Sequence, residues 1–300
     1  MRTVWMSVFV RAVARPARAI LAILTILVAM VAAPARAAGL TYTFHEKPWG
    51  QLSDKNISTN GRVALAINTP QWRHGETEHF ILHYGRNGDK IALRAEEFYA
   101  EIREFFGNRP DLLAGRKSHI FAMHVPADWQ KFLKTVSMSP SVAGFTRGNE
   151  FFYFSLDEEG RFDPKSRVQT HEMTHLLFQQ FFRNSPPLWL NEGVAEYFGF
   201  RKTSTSMEFR RAMSQQKRFN LDTLFAATDY PSDPKVVQAF YAEAAIIVDF
   251  LTNTPERRAV LPKFVDAMIA DNNLNKAVKL YGYRDHADFE SAYERYRRQF

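Results

Sequence analysis

Residues 171–198 read HEMTHLLFQQFFRNSPPLWLNEGVAEYF. Most of these positions are apolar: Leu176, Leu177, Phe178, Phe181, Phe182, Leu188, Trp189 and Leu190 belong in a core. Yet His171, Glu172, His175, Glu192 and Glu196 sit among them. Burying ionisable groups costs several kcal/mol unless each finds a partner. One metal ion shared by the set would supply that partner.

The spacing supports this reading. On a helix, His171 and His175 at i and i+4 share one face, with Cβ atoms about 5–6 Å apart. Two imidazoles so placed can both reach an ion at about 2.0–2.1 Å. Glu172 lies about 100° around the helix from His171. It can approach a metal-activated water without ligating the metal, which is the H-E-x-x-H arrangement. A catalytic zinc with two imidazoles wants a third protein ligand and one open position. Glu192 is the candidate, separated from His175 by 16 residues and carried on a second helix that the turn at Asn184 to Pro187 folds back. Glu196, one turn further along the same face, can accept the N–H of a ligating imidazole. Gly193 has no Cβ and is expected to let these two helices approach closely, offsetting its helix cost of about 1 kcal/mol.

Working outward, Asp163 as N-cap and Pro164 as first helical residue predict a helix reaching about Phe182. Ser185 and Pro186 predict a second from Pro187 to about Phe200. Helical spacing continues near 207–218, 235–252, 256–271 and 285–299. Upstream, EHFILHY (Glu78 to Tyr84) and His119 to Val125 read as strands, with a helix from Asp89 to Phe106 between them. Ala127 to Leu133 reads as a short helix. Ser141 to Leu156 reads as a hairpin turning at Arg147-Gly148-Asn149. Residues 38–76 lack periodicity and are expected to form an irregular lead-in. Strands first and helices later predict an α+β architecture: a small N-terminal mixed sheet with helices, then a mostly helical half.

The chain has 300 residues, 46 % hydrophobic, and 26 phenylalanines, enough to fill a sizeable core. Its formal charge of +7 is unevenly placed. Residues 1–37 hold Arg2, Arg11, Arg15, Arg18 and Arg36 and no acid, leaving 34 basic against 32 acidic residues in the rest. That balance, without a Lys/Arg stripe, argues against nucleic-acid binding. The same 37 residues carry the marks of an export signal: a positive n-region, the apolar run Ala19 to Ala33, and small residues at Ala35 and Ala37. The run is shorter than the roughly 20 residues that span a bilayer, so cleavage after Ala37 is expected, with no stable membrane insertion afterwards. An uncleaved anchor is the alternative. Residues 38–300 then form one unit. There is no cysteine, which excludes disulfides, thiolate ligands and a Cys nucleophile. A Cys-free exported chain fits a bacterial periplasm or secretion.

HEMTH followed by PPLWLNEGVAEYF resembles the gluzincin metallopeptidases, most of all their peptidase-MA-like bacterial branch, with its WLxEGxAEY helix after HExxH. The resemblance implies a zincin-like fold with Zn2+ on His171, His175 and Glu192, and Glu172 as general base. It implies a peptide or protein substrate cut by a zinc-activated water. It also implies a Tyr or His from a later helix at the oxyanion, for which Tyr241 in AFYAEAAIIVDFL is the candidate. The match is strong over 165–200 and weaker over EHFILHYG and YAEAAIIVDFL. It departs from the aminopeptidase members, which have 18 residues between the second His and third ligand and a GxMEN segment that is missing here. Another class remains in view, a catalytically inactive, zinc-stabilised binding or scaffold protein. The intact Glu172 argues against it, because a structural zinc has no use for a base there.

The other histidines carry weaker signals. His79 and His83 lie on a strand, about 13 Å apart. His119 and His124 fall on opposite faces of theirs. His45, His74 and His286 stand in polar surroundings. All are expected to be structural or exposed.

Overall fold

The computed structural model describes residues 42–300 apart from 114, 157–159, 162–165, 183 and 204. The export-signal reading of 1–37 lies outside the described residues, and so do Asp163 and Pro164.

Among the described residues six strands form one mixed sheet: β1 (His45–Glu46), β2 (Arg73–Glu76), β3 (Phe80–Tyr84), β4 (Ser118–Met123), β5 (Gly144–Arg147) and β6 (Glu150–Phe154). Their order is β1-β2-β3-β4-β6-β5. The β3–β4 and β4–β6 pairs are parallel and the rest antiparallel. The three strand regions read from the sequence are present, and β5 lies at an edge of the sheet. The expected irregular lead-in is not what forms over 42–76. It contains β1, β2 and helix α1 (Thr59–Ala66), which Ser58 caps by accepting the Gly61 N–H. The β2 sequence RHGE has no apolar alternation. It is a strand because its ladder to β3, from Arg73↔Tyr84 to Glu76↔Ile81, satisfies its backbone.

Alternation along the strands sorts the core onto two faces. Phe80, Leu82, Tyr84, Ile120, Ala122, Phe151 and Tyr153 join one cluster, on the side of α2 (Gly88–Phe105). Phe121, Met123, Phe145 and Phe152 join the other, with α1 and Trp129 and Phe132 of α3 (Pro126–Thr135). A sheet covered on both faces has strands buried throughout, as β3 and β4 are.

The second half is helical: α4 (Arg167–Phe181), α5 (Leu188–Thr203), α6 (Ser206–Ser214), α7 (Leu221–Ala226), α8 (Pro234–Thr252), α9 (Pro255–Asp271), α10 (Leu274–Ala277) and α11 (His286–Arg297). Two starts differ from expectation. Ser166 caps α4 through the Gln169 N–H, three residues beyond the predicted cap at Asp163. Helix α5 opens at Leu188 and runs to Thr203, past the predicted end at Phe200. The short helices α7 and α10 were not expected. Helix α8 is apolar almost all round and nearly all buried, as such a helix must be.

Gly193 has a different partner from the one expected. A Cβ there would lie 2.6 Å from the Ala244 carbonyl oxygen, so the close approach it allows is between α5 and α8, not between α5 and α4. Gly199 is the α5 glycine that faces α4, next to Arg167 and His171. Further along α8, buried Glu243 is bonded by Tyr293 and by Arg297 of α11, so that carboxylate is satisfied within the protein. The architecture is α+β, with a mixed sheet leading into helices. Among the described residues no single helix is long and apolar enough to cross a membrane.

Candidate metal centre

Helices α4 and α5 pack against each other and bring the sequence-predicted ligands together. His171 and Glu192 are fully buried and His175 is 2 % exposed. His171 Nε2 lies 3.1 Å from His175 Nε2 and 3.4 Å from Glu192 Oε2, and His175 Nε2 lies 3.5 Å from Glu192 Oε1. Two ligands at about 2.0–2.1 Å from a tetrahedral ion stand about 3.3–3.4 Å apart. The triangle therefore has the dimensions of three ligands on one small cation.

Glu172 is the most informative neighbour. It is fully buried, and neither carboxylate oxygen has a hydrogen-bond partner among the described residues. An orphaned buried carboxylate is costly and calls for an explanation. Its backbone is well held, since Thr146 Oγ1 of edge strand β5 donates to the Glu172 carbonyl at 2.9 Å. The side chain alone is left free to meet a group that the protein does not supply.

Glu196 stands behind the ligands. Its Oε1 lies 3.5 Å from His171 Nδ1, and its Oε2 accepts from Arg167 Nη2. Arg167 is held in turn, its guanidinium 3.7 Å from the centre of the Phe200 ring. The carboxylate can thus orient the His171 ring, as the spacing suggested, and the arginine that fixes it was not foreseen.

Tyr241 of α8 also lies at the site. It is 7 % exposed, with its ring centre 6.2 Å from that of His171. A second tyrosine escaped the sequence reading. Tyr230, in the segment between α7 and α8, donates to Glu192 Oε1 at 2.7 Å, and its ring centre is 6.1 Å from that of Tyr241. Burial, then the nearby Glu192 carboxylate, raises both phenols above their ordinary range, so both stay protonated donors. No local spacing marks Tyr230: the chain leaves α5 and passes through α6 and α7 before reaching it.

The charges point to a cation. Three carboxylates, Glu172, Glu192 and Glu196, converge here, and Arg167 is salt-bridged to Glu196. The protein alone compensates with a proton. Burial opposes the His175 imidazolium, but Glu192, with Glu172 and Asn191, overcomes it and pushes His175 up to about 9. Burial likewise opposes the Glu192 carboxylate, and the two imidazoles overcome it and hold its pKa far down. A divalent cation would replace that proton and leave the His175 imidazole neutral, the form that ligates metal.

Three of the histidines outside this site have a structural role as expected, in a row that the sequence did not reveal. His74, His83 and His119 line up on one face of the sheet. His74 Nδ1 is 2.9 Å from His83 Nδ1, and His83 Nε2 is 3.0 Å from His119 Nδ1. His83 and His119 are fully buried. The strand order β2-β3-β4 creates this row. His79 is bonded to Glu96 at 2.6 Å and stacked on Tyr99, a structural role as expected. No family model and no curated protein matches the chain.

Proposed function

We propose that the protein is an exported, zinc-dependent peptidase of gluzincin type on a zincin-like fold. The observation that carries this reading is the buried, unpartnered carboxylate of Glu172 beside three ligands spaced for one ion. A zinc site built only for stability would leave no unsatisfied carboxylate next to it, because each such group costs about 1–3 kcal/mol or more.

His171, His175 and Glu192 would hold the ion, which supplies Lewis acidity to activate a water and polarise the scissile carbonyl. Glu172 would take a proton from the attacking water and return it to the leaving amine. Tyr241, protonated, would donate to the developing oxyanion, and Tyr230 would do so on turning its one O–H proton away from Glu192. Glu196, held by Arg167, keeps the His171 ring in one orientation. Phe181, Trp189 and Leu190 belong to the core around α4 and α5 that keeps bulk water from the ligands. A peptide can lie along edge strand β5, whose outer backbone groups are not used by the sheet.

The test is Glu172→Gln with zinc content and peptide hydrolysis measured together. The expected result is one zinc per chain and hydrolysis lowered about 100- to 10,000-fold. A zinc-stabilised scaffold would instead show no hydrolysis in the unmodified protein and no change in partner binding on substitution.

A further inference from the structure

Tyr230 has two surroundings. Its hydroxyl meets Glu192 and its ring stands 6.1 Å from that of Tyr241, which places it at the metal centre. Its ring also walls an open depression of about 720 Å³. A volume of that order has ample room for the largest side chain. Phe219, Ala226, Pro231 and Val236 give the depression an apolar floor, and its charged lining residues are Asp222 and Asp229. Both aspartates are exposed, and neither has a cationic partner among the described residues. Near Asp222, outside this lining, His286 and Glu290 of α11 pair with each other at 3.3 Å.

An apolar floor with an acidic rim matches one side-chain type. Lysine and arginine lay an aliphatic stem on apolar surface and keep the charged head in water or against a carboxylate. A purely aliphatic side chain would leave the rim unused, and an acidic one would be repelled by it. We propose that this depression is a specificity pocket that takes a lysine or arginine side chain of the substrate near the scissile bond, with Asp222 and Asp229 receiving its cation. This rests on the peptidase reading above. It adds what that reading leaves open, the class of substrate.

The experiment is hydrolysis of a peptide library by the full chain, followed by matched peptides that differ only in lysine, arginine, norleucine or glutamate at the selected position. Lysine and arginine are expected to exceed norleucine in kcat/KM by about fivefold, the size of a good exposed ion pair, and to exceed glutamate by more. The lysine-to-norleucine ratio is expected to fall to about one in Asp222→Asn combined with Asp229→Asn. In Asp229→Lys the order of lysine and glutamate should reverse. Cleavage with no preference for a basic residue, or a preference unmoved by these substitutions, would overturn the pocket assignment and leave the peptidase reading standing. A zinc-loaded protein that cleaves no member of the library would overturn both.

Discussion

The molecule buries two groups of histidines, and they solve the same problem in opposite ways. On the sheet, His74, His83 and His119 bond in a row, with His83 stacked on Phe121 and the Trp49 ring 5.7 Å away. Burial pushes His119 down to about 4 and His83 well below its ordinary value, so the row is neutral. Between the helices, His171 and His175 face Glu192, and His175 is pushed up to about 9. His83 and His119 are as buried as His171 and His175. The difference is the carboxylates. Buried imidazoles that satisfy one another are core, whereas imidazoles among excess buried carboxylates need a cation.

The largest expected effect separates the two groups directly. His175→Ala should abolish stoichiometric zinc binding, since two ligands do not make a closed site. His83→Ala should leave zinc content unchanged and lower stability, read as a fall in the thermal midpoint of the zinc-loaded protein. Equal zinc loss in both variants would break the comparison.

Their pH responses should have opposite sign. His119 has a lowered folded pKa, so its contribution is present above about pH 6.5 and is lost as pH falls toward about 4, by about 3 kcal/mol. His175 has a raised folded pKa. In the zinc-free protein its contribution is present below about pH 6.5 and is lost as pH rises through about 9. Zinc must displace that proton, so its apparent affinity should rise about tenfold per pH step up to about 9 and then level off. Denaturation and zinc titrations across this range check both, and a zinc affinity flat between pH 7 and 9 would contradict the charge argument.

A smaller effect tests the tyrosine that the sequence did not reveal. Tyr230→Phe removes a donor to Glu192 but keeps the ring. It should lower kcat about tenfold while zinc affinity changes by only a few-fold. A large loss of zinc with little loss of kcat would make Tyr230 a support for the ligand and no more.

What was legible in the sequence was what is local. The i,i+4 pair of histidines, the adjacent Glu172 carboxylate and the Glu192–Glu196 face follow from helix geometry, and the structure brings these residues together. The α+β order was legible for the same reason, because strands and helices announce themselves by their periods. Contacts set by topology were not legible. Spacing says that Gly193 lies on a packed face but not that α8 packs there. The polar strand β2 exists because β3 pairs with it, and only that pairing sets His74 opposite His83. Tyr230 reaches Glu192 across 38 residues, a distance over which no pattern carries information.

The most direct test of the account is the metal content of the purified protein, measured by elemental analysis without added metal, beside Glu192→Ala. The account predicts about one zinc per chain in the protein and none in the variant. A protein that carries no divalent metal and takes up none when zinc is added would contradict it, and the second histidine group would then have to be explained, like the first, as core.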